Sequence, residues 1–528
     1  MTTAITIGMI IIYVAIMMGI GVYTARQTRS VSDFVLGSHS VGSWLTAFAY
    51  GTSYFSAVVF IGYAGQFGWT YGVSAAWVGV GNALLGSLLA WIVLGRRTRI
   101  MTQSLGAKTM PEYFEKRWNS KGLKIAAALI VFVFLIPYTA SVYNGLSRLF
   151  NMAFQIESEG AYKIIIIVMA LLTAIYVILG GYAATAINDF IQGIVMLIGI
   201  AAVVICAIQN QGGLTSALAA LGEIEVNGKT STLNSVFGPD PLNLLGVVIL
   251  TSLGTWGLPQ MIHKFYAIKS ENDIKKGAVI STVFALIVAG GSYLLGGFDR
   301  LFCTLTEDGS GKTVISTLSN GKPDFDAMIP SLLHTALPDI LIGLVVVLVL
   351  SASMSTLSSL VLTSSSTLTI DLIKPNLKKC SDKKEMLIMR VLIAVFLVIS
   401  VLLAFNKNAS ISTLMSYSWG ALAGAFLGPF MYGLFSKKIT KPAVWTSFIL
   451  GIGLTLVHMF LFGFGWNPEL SKAAASLPLN LASPINAGAI TMLLSLIVVP
   501  VVSALTKVKD PKHVEQVFTC YAAPEKQD

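Results

Sequence analysis

Thirteen runs of about 20 apolar residues follow one another along this chain. Each has the length a helix needs to cross about 30 Å of hydrocarbon at 1.5 Å per residue. They lie at 4–25, 41–67, 73–95, 125–154, 161–182, 187–208, 241–262, 276–298, 339–372, 386–405, 409–436, 442–463 and 484–506. In lipid, backbone polar groups must be satisfied within the segment, so the runs are expected to be helices. The expected fold is an all-α polytopic membrane protein with 13 transmembrane helices, and an apolar content of 55% against 11% charge excludes a soluble fold.

The net charge of +10 is topological. The first run has no basic residue before it and Arg26 and Arg29 after it, the reverse of a signal peptide, which places the N-terminus outside. With that orientation the segments 26–40, 96–124, 183–186, 263–276, 373–385, 437–441 and the tail from Lys507 face inward. They hold 26 of the 35 Lys and Arg residues, against 8 in the outer segments. A multi-pass protein of the plasma (inner) membrane with a cytoplasmic C-terminus follows, in contact with lipid and not nucleic acid. Two long outer segments, 209–240 and 299–338, read as surface structure. The inner segment at Met110-Pro111-Glu112 reads as a short helix begun by proline. Cys206, Cys303, Cys380 and Cys520 have no paired spacing, and the five histidines are isolated.

Within the ninth run, Ser351 to Thr369 contains twelve Ser or Thr among nineteen residues. On a helical wheel Ala352, Ser355, Thr356, Ser359, Thr363 and Ser366 fall within an arc of about 100°, with Ser358 beside it. Such a face serves either close helix packing or a hard monovalent cation, which takes neutral oxygen ligands.

Two spans are interrupted. Ala49 to Ser56 breaks the second, and Thr251-Ser252-Leu253-Gly254-Thr255-Trp256-Gly257-Leu258-Pro259 breaks the seventh. With the first helix set aside, these open two successive five-helix units, the pattern of an inverted-repeat transporter. The expected divisions are an extra N-terminal helix at 1–25, repeats at 41–208 and 241–436, two extra C-terminal helices at 442–506 and a tail at 507–528. Unwound backbone supplies carbonyls for a cation, and half-helix N-termini attract an anionic group.

At this point the residues resemble the sodium:solute symporter family, and within it the sodium/proline branch. The resemblance is carried by Asp33-Phe34 through Gly42, Gly180-Gly181, Asn188-Asp189-Phe190-Ile191-Gln192, Gly257-Leu258-Pro259, Met354-Ser355-Thr356-Leu357-Ser358-Ser359 and Ser416-Tyr417-Ser418-Trp419-Gly420. It implies the leucine-transporter-type fold and sodium-driven uptake. Carried over, a first Na+ is held by the carbonyls of Thr52, Phe55 and Ala352 and the hydroxyls of Ser355 and Thr356. A second Na+ has Asp189, Ser355, Ser358 and Ser359 as its ligands, although Asn188 or Asp189 could instead cap a helix starting at Phe190.

For the solute the pattern departs from the proline branch, which carries Asp where this chain has Tyr54 and aromatic residues where it has Thr251 and Thr255. Val58, Tyr138, Thr255, Trp256, Gln260, Tyr417 and Trp419 are the expected pocket lining. Proline, another amino acid, pantothenate and a small monocarboxylate stay open, as does proton coupling through Asp189. Motifs of membrane enzymes such as HExxH or GxSxG do not occur, so an enzyme is not expected.

Overall fold

The computed structural model describes residues 2–25, 30–37, 41–155, 158–226, 229–230, 232–307, 311–318, 323–377, 381–405 and 410–522. The long helices are α1 (Thr2–Ala25), α2 (Ser43–Tyr54), α3 (Lys121–Phe154), α4 (Glu159–Asn210), α5 (Pro241–Gly257), α6 (Pro259–Ala267), α7 (Glu271–Gly296), α8 (Asp339–Thr367), α9 (Asp382–Ala404), α10 (Ile411–Phe435), α11 (Lys441–His458) and α12 (Pro484–Leu505). Between α2 and α3 a second long helical run covers Val58–Leu105. Among the described residues, nine helices are long and apolar enough to cross a membrane, or ten when the pair α5 and α6, bent by 46°, counts as one span.

That count falls short of thirteen for identifiable reasons. Two of the nine, Val58–Leu105 and Gly160–Asn210, are far longer than a bilayer is thick. Each contains a glycine that breaks helical geometry: Gly72 at φ 63° and Gly181 at φ 56°. α10 is long enough, but Ser, Gly and Tyr dilute its apolarity. The side chains sort as lipid requires. Ile11, Ile12, Ile92, Ile164, Leu402 and Ile449 are exposed, whereas Ser, Thr and Asn side chains are buried in quantity at the centre.

Local chemistry explains the shorter pieces. Thr109 caps Met110–Trp118, with Pro111 in its first turn, as the sequence predicts. The segment 209–240 contains the helix Leu214–Glu223 and two short antiparallel strands, Glu225–Val226 and Lys229–Thr230, and 299–338 contains the helix Met328–Ala336.

The two interrupted helices run antiparallel. The backbone beside the start of α2 pairs with the end of α6, Lys269 N donating to Val41 O at 3.0 Å. At the opposite end Val73 N donates to Leu233 O at 2.9 Å, just before α5. Glycine allows their neighbours to approach: a Cβ on Gly68 would lie 2.0 Å from the carbonyl of Gly296, and one on Gly296 would lie 2.1 Å from Ala64 O.

Candidate functional site: a carbonyl cluster, a buried ion pair and an aromatic box

α2 stops at Tyr54 because Phe55 turns to extended geometry, with φ −82° and ψ 121°. Helix resumes at Val58 as a π-helical turn. The matching break falls at Leu258, φ −80° and ψ 122°, where Pro259 has no N–H to continue the ladder of α5. Each break leaves carbonyls without an intrahelical partner in the protein interior, where water cannot satisfy them.

The carbonyls freed in α2 converge on Thr356. Its Oγ1 lies 3.3 Å from Thr52 O, 3.4 Å from Ser53 O, 3.3 Å from Phe55 O and 3.2 Å from Ala352 O. One hydroxyl proton serves one acceptor at a time, so four carbonyl oxygens around one hydroxyl form a nest of negative potential. Thr52, Thr356 and Ala352 are fully buried and Phe55 nearly so. The donor set is neutral oxygen throughout, which suits Na+. Thr52, Phe55, Ala352 and Thr356 thus come together as expected. Ser355 points elsewhere: its Oγ donates to Asp189 Oδ1 at 2.6 Å.

Asp189 is buried in the interior of α4, beyond the break at Gly181, so neither it nor Asn188 caps a helix. Its Oδ2 lies 3.6 Å from Lys264 Nζ. Lys264 in turn donates to Ser359 Oγ at 3.0 Å, and Ser359 Oγ is 2.8 Å from Ser53 Oγ. Ser358 is spent within its own helix, donating to Ser355 O at 2.8 Å. Lys264 is a residue the sequence reading places in an inner loop; in the structure it lies within α6 and is 2% exposed. The available signal was Pro259, since a helix begun there carries residue 264 beyond its first turn.

The aromatic side chains gather above the break. Trp419 of α10 packs on Tyr54 at 5.7 Å and edge-on against Tyr138 of α3 at 5.9 Å between ring centroids. Trp419 Nε1, Tyr138 Oη and both amide atoms of Gln260 are buried without a hydrogen-bond partner among the described residues. Buried polar atoms of this kind are ones that a polar ligand can satisfy. Beside them a narrow cavity is lined by Tyr50, Gly51, Tyr54, Asn82, Gly86, Ser87, Thr255, Ser281 and Ala285.

The π-helical turn Asn82–Leu89 turns carbonyls toward this region. Gly86 O accepts from Tyr50 Oη at 2.8 Å and Thr255 Oγ1 at 2.9 Å, and Leu85 O accepts from Trp256 Nε1 at 2.9 Å. Asn82 links Tyr54 Oη to Ser252 Oγ. Val58 is buried just past the break. Tyr417 packs on His458 of α11, at 5.8 Å, and does not join the Trp419 group. The π-helical turn and Asn82 have no counterpart in the sequence reading, because π geometry has no local composition signal.

Interrupted antiparallel helices, freed carbonyls and a neutral oxygen nest in a lipid-facing bundle define a cation-coupled membrane transporter. The chain belongs to the sodium:solute symporter family, whose model matches residues 34–451. Na+ is the coupled ion and a small solute the cargo. A sodium/proline symporter of Staphylococcus aureus (strain JH9) is 30% identical over 461 residues, covering 85% of each chain. The fold is similar to that of a Na+-coupled sialic acid symporter in a substrate-bound outward-open state, with TM-score 0.73 and 18% identity over 96% of this chain and 98% of that one. It is also similar to Mhp1, a nucleobase-cation-symport-1 family transporter in a closed conformation, with TM-score 0.51 and 14% identity over 92% and 98%.

Proposed function

We propose that this protein couples inward movement of Na+ through the Thr356 nest to uptake of proline or a related amino acid by alternating access. The observation that carries the ion site is the set of four carbonyls within 3.2–3.4 Å of Thr356 Oγ1. A cation there ties α2 to α8 and orders the broken helix that borders the aromatic box. Na+ entering from outside preorganises the solute site; low cytoplasmic Na+ then releases the ion and opens the inner path. One charge crossing 100 mV supplies about 2.3 kcal/mol, and a tenfold gradient adds roughly 1.4 kcal/mol. One ion therefore sustains a solute gradient of several hundredfold.

Proline is the leading solute because the sodium/proline symporter of S. aureus is similar over 85% of the chain. An amino acid's two charges can be met without ionised side chains: half-helix N-termini at Val58 and Pro259 face the carboxylate, and the carbonyl ends of α2 and α5 face the ammonium. One observation favours a second reading. The cavity beside Tyr54 is lined by no acidic residue, so the charge of its lining also suits a small monocarboxylate, pantothenate included.

In the same reading Gly72 and Gly181 divide the two overlong runs. With α10 and the bent pair α5 and α6 each counted as a span, the total is thirteen, arranged as repeats at 41–208 and 241–436 with one helix before and two after. The N-terminus lies outside the plasma membrane and the tail in the cytoplasm. The experiment is uptake of radiolabelled proline into proteoliposomes with and without an inward Na+ gradient, for the parent and Thr356→Ala.

A further inference from the structure

The side chains expected to hold a second Na+ already surround a cation that belongs to the chain. Lys264 Nζ lies 3.6 Å from Asp189 Oδ2 and 3.0 Å from Ser359 Oγ, and 5.3 Å from the ring centroid of Tyr182. Asp189 takes its other oxygen to Ser355 at 2.6 Å. Ser358 faces its own helix. Both ends of the pair are sealed from solvent, with Asp189 fully buried and Lys264 2% exposed.

A buried ammonium and a Na+ cannot share this space. Two unit positive charges about 4 Å apart repel by about 4 kcal/mol even at an effective dielectric of 20, and one carboxylate cannot neutralise both. The oxygens that a Na+ requires are the ones that Lys264 uses. We infer that Lys264 is a resident cation: its ammonium fills the second ion position permanently, so the protein carries one Na+ per cycle and not two. The inference rests on the reading of Thr356 as the Na+ nest.

The tethered charge also has a positioning role. Lys264 stands on α6, the inner half of the second broken helix; Asp189 is on α4 and Ser359 on α8. Ser359 passes the connection to Ser53, whose carbonyl is one of the four around Thr356. An exchangeable ion at this point would join these elements only while bound. The lysine joins them through one residue that moves with α6 and reports its position to the Na+ nest.

The test is equilibrium binding of 22Na+ to the purified full-length protein. The parent is expected to bind one Na+ per chain along a hyperbolic isotherm, and Lys264→Arg, which keeps the charge, also one. Lys264→Met removes the ammonium and leaves the Asp189 carboxylate with Ser355 and Ser359; it is expected to bind two Na+ per chain. Lys264→Met with Asp189→Asn is expected to return to one. Two Na+ per parent chain, or one on a folded Lys264→Met, would overturn the inference. If Lys264→Met does not fold, the parent stoichiometry alone decides. Binding of one Na+ by the parent with an affinity that Thr356→Val leaves unchanged would refute the nest assignment, a separate failure from that of the resident cation.

Discussion

Replacing Thr356 by Val removes one oxygen and keeps the shape of the side chain. In the absence of Na+ the cost is small, because the hydroxyl satisfies only one of the four carbonyls that approach it at 3.2–3.4 Å. A net hydrogen bond of this kind is worth about 1 kcal/mol. With Na+ bound the hydroxyl becomes one of a small number of ligands, and a contact to a charged group is worth about 1.5–3 kcal/mol. Affinity for Na+ should therefore fall by about 10- to 150-fold. At a Na+ concentration 100 times the parent Kd, the ligand stabilises the parent by about 2.7 kcal/mol. A variant 100-fold weaker retains only about 0.4 kcal/mol under the same conditions. The assay is thermal unfolding in detergent across a Na+ titration, with choline holding ionic strength constant. Thr356→Ser, which restores the oxygen, should recover most of the Na+ response. A Thr356→Val protein whose midpoint still rises with Na+ along the parent curve would refute the assignment.

Other consequences can be checked on the same preparation. Asp326, in the segment 299–338, accepts from Ile411 N at 3.2 Å; burial pushes its carboxyl up to about 6, with Arg148 opposing the shift and neighbouring Asp324 adding to it. A carboxyl raised in the folded state favours folding below the unfolded value near 4, and that contribution is lost as pH rises through about 6. Asp326→Asn should flatten the fall in thermal stability between pH 4 and 7, and an unchanged slope would count against it. Gly181→Ala places a Cβ 2.7 Å from Phe34 O at φ 56°, so unfolding stability should drop by about 1–3 kcal/mol. Gly68→Ala should cost at least as much, since its Cβ would overlap the Gly296 carbonyl; a midpoint equal to the parent's would contradict the close approach of the two helices. Tyr54→Phe strips Asn82 of its hydroxyl partner beside the aromatic box and should raise the KM for solute by roughly tenfold, leaving the Na+ response of stability intact.

Much of this was legible because lipid simplifies the sequence. Apolar length marks helices, and glycine with proline marks where they break: the interruptions at Phe55 and Leu258 lie inside the stretches that the sequence picks out. The i, i+3, i+4 spacing of Ala352, Ser355 and Thr356 placed a polar face on α8, and three of the four carbonyls near Thr356 were named from the resemblance. Side-chain direction was not legible. Ser355 and Thr356 are adjacent, yet one turns to Asp189 and the other to α2, a choice made by partners far away in the chain. Lys264 was hidden for the same reason: a basic residue near a span end reads as an inner-loop charge, and only the fold shows a buried carboxylate waiting across the interface. The π-helical turn at Asn82–Leu89, with the carbonyls it turns toward Tyr50, Thr255 and Trp256, packs against α5 and α7, partners far away in the chain.

The most direct test of the central claim is solute accumulation by proteoliposomes containing the purified protein, driven by an inward Na+ gradient at constant pH on both sides. The expected result is accumulation of labelled proline above its external concentration only while the Na+ gradient persists, and its loss in Thr356→Ala. Accumulation that is indifferent to Na+, together with a thermal midpoint that Na+ does not shift, would contradict it.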